Sequence, residues 1–190
     1  MRLIITRHGE TVGNVNNYFQ GQTPGILTNK GIEQAKKLGL RFKDKKIEVI
    51  YSSDLQRAID TAKEILVYHP NLKLNLDKRV RERKFGEFEN KIMPGDWDWG
   101  NMPKCVETDT QMFARAKEFL ADIYSRHKDN IVVVVCHGAI KTVMLSVILG
   151  KKDFDMALFD KLTNTAVSIF DIEEDNKHKI HVIGCVKHLE

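Results

Sequence analysis

Two stretches of the chain are apolar without interruption: Leu3-Ile4-Ile5 and Ile131-Val132-Val133-Val134-Val135. A strand with one face in water alternates apolar and polar residues. These do not, so they read as central strands covered on both faces. Ile47–Tyr51, the weaker Leu72–Leu76, Ala166–Phe170 and Lys179–Val186 read as further strands. Between them the apolar spacing changes to that of helices. Ile32, Ala35, Leu38 and Phe42 mark one helix. Leu55, Ala58, Ile59, Ala62, Ile65 and Leu66 mark a second, with Ser53 and Gln56 as its expected capping box and an end near Tyr68, before Pro70. Thr108 and Gln111 form a second box ahead of Met112, Ala116, Phe119, Leu120 and Ile123. The stripe Ile140, Val143, Met144, Val147, Ile148 stops at Gly150.

Strands alternating with helices predict an α/β fold in three layers, a mostly parallel central sheet flanked by helices on both faces. At 190 residues the chain is expected to form one domain, 1–190. Its least regular stretch, about 89–107, carries Pro94, Gly95, Trp97, Trp99 and Pro103 and reads as a short inserted lid.

Composition removes several classes of function. With 42% hydrophobic and 29% charged residues the chain is an ordinary globule. No apolar run approaches the roughly 20 residues of a membrane span, and Met1–Ile5 is too short for a signal peptide, so a cytoplasmic protein with no membrane partner is expected. Cys105, Cys136 and Cys185 are odd in number, far apart and read as reduced thiols. The net charge of +4 is spread along the chain, and the cluster Lys78-Arg79-Arg81-Arg83-Lys84 reads as a solvated face, so no nucleic-acid partner is called for. The oligomeric state is not legible; a homodimer stays open.

The chemistry sits after the two apolar strands. Arg7-His8-Gly9-Glu10 follows the first and His137-Gly138 the later one. In a parallel sheet ligands bind beyond the carboxyl ends of the strands, where helix N-termini present backbone amides. Neighbouring central strands would therefore bring both imidazoles together. Each glycine is expected to clear room for a phosphate against the backbone. Metal chemistry has little support: there is no His-Glu-x-x-His and no aspartate cluster, and His178 and His181 would face opposite sides of a strand.

In their order these blocks resemble the histidine phosphatase superfamily, the phosphoglycerate-mutase-like proteins, over nearly the whole chain. Arg7-His8-Gly9-Glu10-Thr11 with Asn14 is similar to its signature loop, and Tyr51-Ser52-Ser53-Asp54-Leu55-Gln56-Arg57-Ala58 to its second block. Arg81-Glu82-Arg83-Lys84-Phe85-Gly86-Glu87 is similar to its acid-bearing segment, Val133–Gly138 to its second-histidine strand, and Asn164-Thr165 to its closing region. The resemblance implies a metal-independent phosphatase that needs no cofactor and hydrolyses small phosphate monoesters through a phosphohistidine on His8. Arg7, Arg57 and His137 would meet the charge of the phosphoryl group in flight, and the arginines would keep His8 neutral and nucleophilic. Glu82 would protonate the leaving alkoxide. Asn14, Gln20, Gln22 and Gly138 would join Arg7, Arg57 and His137 in holding the phosphate or substrate.

Gln20–Thr28 and Val106-Glu107-Thr108 depart from the family's usual pattern, which alters the rim of the pocket. Arg83-Lys84-Phe85-Gly86 and Gln20-Gly21-Gln22 look like the fructose-2,6-bisphosphatase type. Two alternatives remain at this stage: a phosphoglycerate mutase-type phosphotransferase, and a catalytically silent phosphate-binding or scaffold protein. A mutase is disfavoured because the lid has only Lys91 and Lys104 against Glu89, Asp96, Asp98 and Glu107.

Overall fold

The structure is a computed structural model that describes all residues except 175 and 176. In chain order it contains β1 (Arg2–Arg7), α1 (Val12–Val15), α2 (Asn29–Phe42), β2 (Val49–Ser52), α3 (Gln56–Leu66) and β3 (Leu74–Leu76). There follow α4 (Asp109–His127), β4 (Ile131–Cys136), α5 (Gly138–Ile148), α6 (Met156–Phe159), β5 (Val167–Asp171) and β6 (Lys179–Cys185). One six-stranded sheet has the order β3-β2-β4-β1-β5-β6. β3, β2, β4 and β1 run parallel, while β5 opposes both β1 and β6 and is alone in its direction. The expected mostly parallel α/β sheet is thus present, closed at one side by a hairpin.

The unbroken apolar runs have the expected cause. Leu3, Ile5, Val132 and Val134 pack with Met112, Phe119, Ile140 and Met144 of α4 and α5. Ile4, Val133 and Val135 point the other way, against Leu38 and Phe42 of α2 and Ala58 and Ile65 of α3. Both faces are buried, so alternation would have placed polar groups in a core. β1 and β4 are neighbours in register, Arg7 opposite Cys136, and this single pairing puts His8 beside His137.

Local signals hold in part. Thr108 caps α4 in a complete box with Gln111. Gly150 follows α5 with φ +70, the left-handed conformation that ends a helix. The box expected at Ser53 does not form. Leu55 is the N-cap of α3 without a side-chain bond; Ser53 Oγ instead accepts the Leu55 N–H at 3.2 Å, and Gln56 turns to Asp60. Ser53 is taken up by the turn that delivers Arg57.

Residues 89–107 hold neither helix nor strand. They lie back on the segment after α1 through an isolated bridge between Tyr18 and Ile92 and backbone bonds between Phe19 and residues 90 and 91. Trp97 stacks on Phe19 at 4.5 Å and Phe88 at 5.0 Å, beside the third apolar cluster of Phe19, Phe85 and Val106. No helix among the described residues is long and apolar enough to cross a membrane.

Candidate active site

His8 leaves β1 with its backbone N–H on the Cys136 carbonyl, 2.9 Å, and its own carbonyl accepts from the Asn164 amide at 3.0 Å. Gly9 is fixed by Thr61, whose hydroxyl accepts its N–H at 3.0 Å. The imidazole Nδ1 lies 2.7 Å from the Gly9 carbonyl, which can only accept, so the proton is on Nδ1 and the lone pair on Nε2. That is the atom a nucleophilic histidine must present.

Arg57, 1% exposed, joins the two histidines. Its Nε–H is shared between His8 Nε2 at 3.2 Å and His137 Nδ1 at 3.1 Å. Its terminal nitrogens donate to the carbonyls of Gly21 (2.8 Å), Thr23 (2.5 Å) and Pro24 (3.3 Å). Accepting at Nδ1 puts the proton of His137 on Nε2, a buried atom without a hydrogen-bond partner, like Nε of Arg7. Arg7 is held by the Leu162 carbonyl at 3.1 Å. Two buried donors thus have no acceptor among the described residues, as expected of groups that meet an oxyanion.

Burial, then the fields of Arg57 and Arg7, holds His8 well below the ordinary imidazole range. The sequence suggested the arginines alone; desolvation is the larger cause. His137 is lowered in the same way, chiefly by burial and then by Arg57, so it is a neutral donor. Arg57 is lowered by burial to about 10 and stays cationic at neutral pH. Burial pushes the Cys136 thiol up to about 12, leaving no thiolate to compete with His8.

Glu82 pairs with neither neighbouring arginine. Arg81 forks onto Asp54 and Arg83 binds Asp109. The Glu82 carboxylate instead caps α5, accepting the N–H groups of Ala139 at 3.1 Å and Ile140 at 3.3 Å, and that of Arg83 at 2.9 Å. Its backbone is clamped from behind by Arg115, which donates to the carbonyls of Arg79, Arg81 and Glu82 and forms a shielded ion pair with Glu107. Sequence reasoning missed Arg115, which lies on the polar side of an amphipathic helix and carries no motif.

Arg7, His8, Asn14, Gln20, Arg57 and Glu82 line a cavity of about 640 Å³. Asn14 Oδ1 is occupied by Thr11 and Asn164, which leaves the Nδ2 protons for a ligand. Gln20 Oε1 accepts from Thr11. Gln22 is not on the wall: its amide donates to the Glu82 carbonyl, 3.2 Å, so it positions the acid loop. His137 and Gly138 are not among the lining residues; Ala139, itself largely buried, is the part of the helix start that reaches the cavity. Packing also requires the glycines. A Cβ on Gly9 would sit 2.4 Å from the Gly31 carbonyl, and one on Gly138 3.0 Å from the Phe159 ring and 3.4 Å from the Arg7 guanidinium.

Known proteins resemble this chain in sequence and fold. The chain is 30% identical to phosphoglycerate mutase-like protein 4 of Arabidopsis thaliana over 99% of its length and 86% of the relative's. It is 30% identical to phosphoserine phosphatase 1 of Hydrogenobacter thermophilus, over 92% of this chain and 88% of that one. The solved structure of YhfR from Bacillus stearothermophilus superposes with a TM-score of 0.87 at 27% identity, covering 100% of this chain and 99% of the other. Residues 3–183 match the model of the histidine phosphatase superfamily, branch 1, and the chain belongs to that superfamily.

Proposed function

We propose that this protein is a metal-independent phosphatase of small phosphate monoesters, working through a phosphohistidine on His8. The observation that carries the reading is the His8 tautomer: Nδ1–H on the Gly9 carbonyl leaves a neutral Nε2 lone pair in a buried field of two guanidinium groups.

The Arg57 Nε–H rests on that lone pair. An arriving phosphate oxygen is the stronger acceptor; it takes this donor, along with Arg7 Nε and His137 Nε2, and so releases the nucleophile. Nε2 then attacks phosphorus in line, the ester P–O bond breaks, and Glu82 gives its proton to the leaving alkoxide. Water next attacks the phosphohistidine, its proton passes to Glu82, and inorganic phosphate leaves with His8 neutral again. Asn14 and Gln20 contact the phosphate end, and the segment 89–107 acts as a lid over the single domain. A cytoplasmic setting accords with three free cysteines. Hydrolysis is favoured over phosphoryl transfer to a second ester because neither Lys91 nor Lys104 lies on the cavity wall to hold another phosphate.

The test is rapid-quench trapping with a ³²P-labelled ester in excess chelator. An acid-labile, base-stable label should form in the wild type and be absent, with turnover, in His8→Ala. Label on a serine or on Cys136, or activity that vanishes in chelator and returns with a divalent ion, refutes the reading.

A further inference from the structure

The cavity is much larger than a phosphate needs, and its remaining wall is rich in aromatic and methionine side chains. The Phe159 ring and the Arg7 guanidinium both lie close to Gly138, Phe154 is 5.9 Å from Phe159, and Arg83 stands over Phe154 at 5.5 Å. The wall also holds Phe85, which packs on Phe19 at 4.6 Å and meets Trp99 at 6.2 Å. Among the described residues no lysine lines the cavity, and beyond the catalytic groups the one cation on the wall is Arg83, 3% exposed; its charge is spent, since Nη2 binds Asp109 at 2.5 Å and Nη1 the Glu107 carbonyl at 2.9 Å. The Nε of Arg83 is buried without a partner among the described residues.

From this we infer that the leaving-group end of the site selects phosphomonoesters of neutral alcohols bearing an aromatic or apolar group, and that the Arg83–Asp109 pair discriminates against alcohols bearing a carboxylate. The inference rests on the phosphatase reading and deepens it. An apolar group among Phe154, Phe159 and Phe85 loses its water and gains ring contacts. A carboxylate there gives up its hydration and finds a guanidinium already neutralised by Asp109, whose own charge repels it. Small acidic esters such as phosphoglycerate and phosphoserine therefore bind through their phosphate alone.

The experiment compares kcat/KM for 2-(1-naphthyl)ethyl phosphate, glycerol 3-phosphate and 3-phosphoglycerate, three esters that all leave as primary alkoxides, so Glu82 serves each alike. The naphthyl ester should lead glycerol phosphate by about ten-fold or more, with 3-phosphoglycerate last. Asp109→Asn frees the charge of Arg83 and should move the ratio of 3-phosphoglycerate to naphthyl ester upward by on the order of ten-fold. That is a gain a misfolded variant cannot imitate. A wild-type preference for 3-phosphoglycerate, or a ratio unmoved by Asp109→Asn, overturns the subsite while leaving the phosphatase intact. If the folded protein hydrolyses none of the three and His8 takes no label, the phosphatase reading falls and the subsite with it.

Discussion

Replacing Glu82 by Gln separates acid catalysis from scaffolding because the change is nearly isosteric. The carboxylate accepts three backbone N–H groups, and an amide oxygen in the Oε1 position keeps those of Arg83, Ala139 and Ile140. What is lost is the second contact of Ala139, at 3.2 Å, replaced by an NH₂ group. One imperfect bond out of several costs about 1 kcal/mol, roughly 2–4 °C in Tm for a chain of this size. The chemical effect is far larger. An alkoxide leaving without a proton should lower kcat/KM for alkyl esters about 10²–10⁴-fold. An aryl ester departs as a stabilised phenolate, and its kcat/KM, which reports phosphorylation of His8, should change little. The water step loses its base for both esters, so aryl phosphate should give a burst of phenol followed by slow turnover. Stopped-flow and trapping experiments read both phases. Equal losses in kcat/KM for the two esters, with no burst, refute Glu82 as the acid and leave it as a brace for α5.

Stability should fall below pH about 6.5. The folded pKa values of His8 and His137 lie under the free value, so the unfolded chain takes up protons first, and stability present above that pH is lost as pH drops toward the folded values. Two groups set a limiting slope of about 2.7 kcal/mol per pH unit, with His188, held at about 4, adding in the same sense; urea midpoints between pH 7.5 and 5 should show it, and a flat profile refutes it. Arg57→Lys replaces a fork that meets two imidazoles and three carbonyls with one ammonium, so kcat/KM should fall about 10²–10³-fold; a loss under five-fold refutes the bridging role. Arg115→Met frees the Glu82 loop without touching substrate, and alkyl-ester kcat should drop more than KM rises, with aryl kcat/KM nearly kept. Lys141, fully buried with Nζ on the Ala166 carbonyl and lowered by burial to about 7, should tolerate Met better than Ala: Met removes a costly charge and keeps the volume, and Tm of the two variants decides it.

The strands, the helices and the meeting of His8 with His137 were legible in the sequence because they depend on periodicity. A run such as Ile131–Val135 can be buried on both faces only in a covered sheet, and residues that follow adjacent parallel strands emerge at the same edge. Neutrality of His8 was foreseen from the arginines, yet its main cause, complete burial, is a sum over the whole fold that no local spacing records. Tertiary structure alone decided which partner each polar group takes. Arg81 and Arg83 flank Glu82 in sequence, yet each finds its own aspartate, and the carboxylate goes to the start of α5, 57 positions away. Gln22 turned to the acid loop and not to the cavity, and Ser53 to Leu55 and not to the helix start. Hydrogen bonds of similar strength compete for each such side chain, and the differences between them are settled by backbone geometry across the fold; apolar burial, tens of times larger in sum, leaves its mark on the sequence as period and run length.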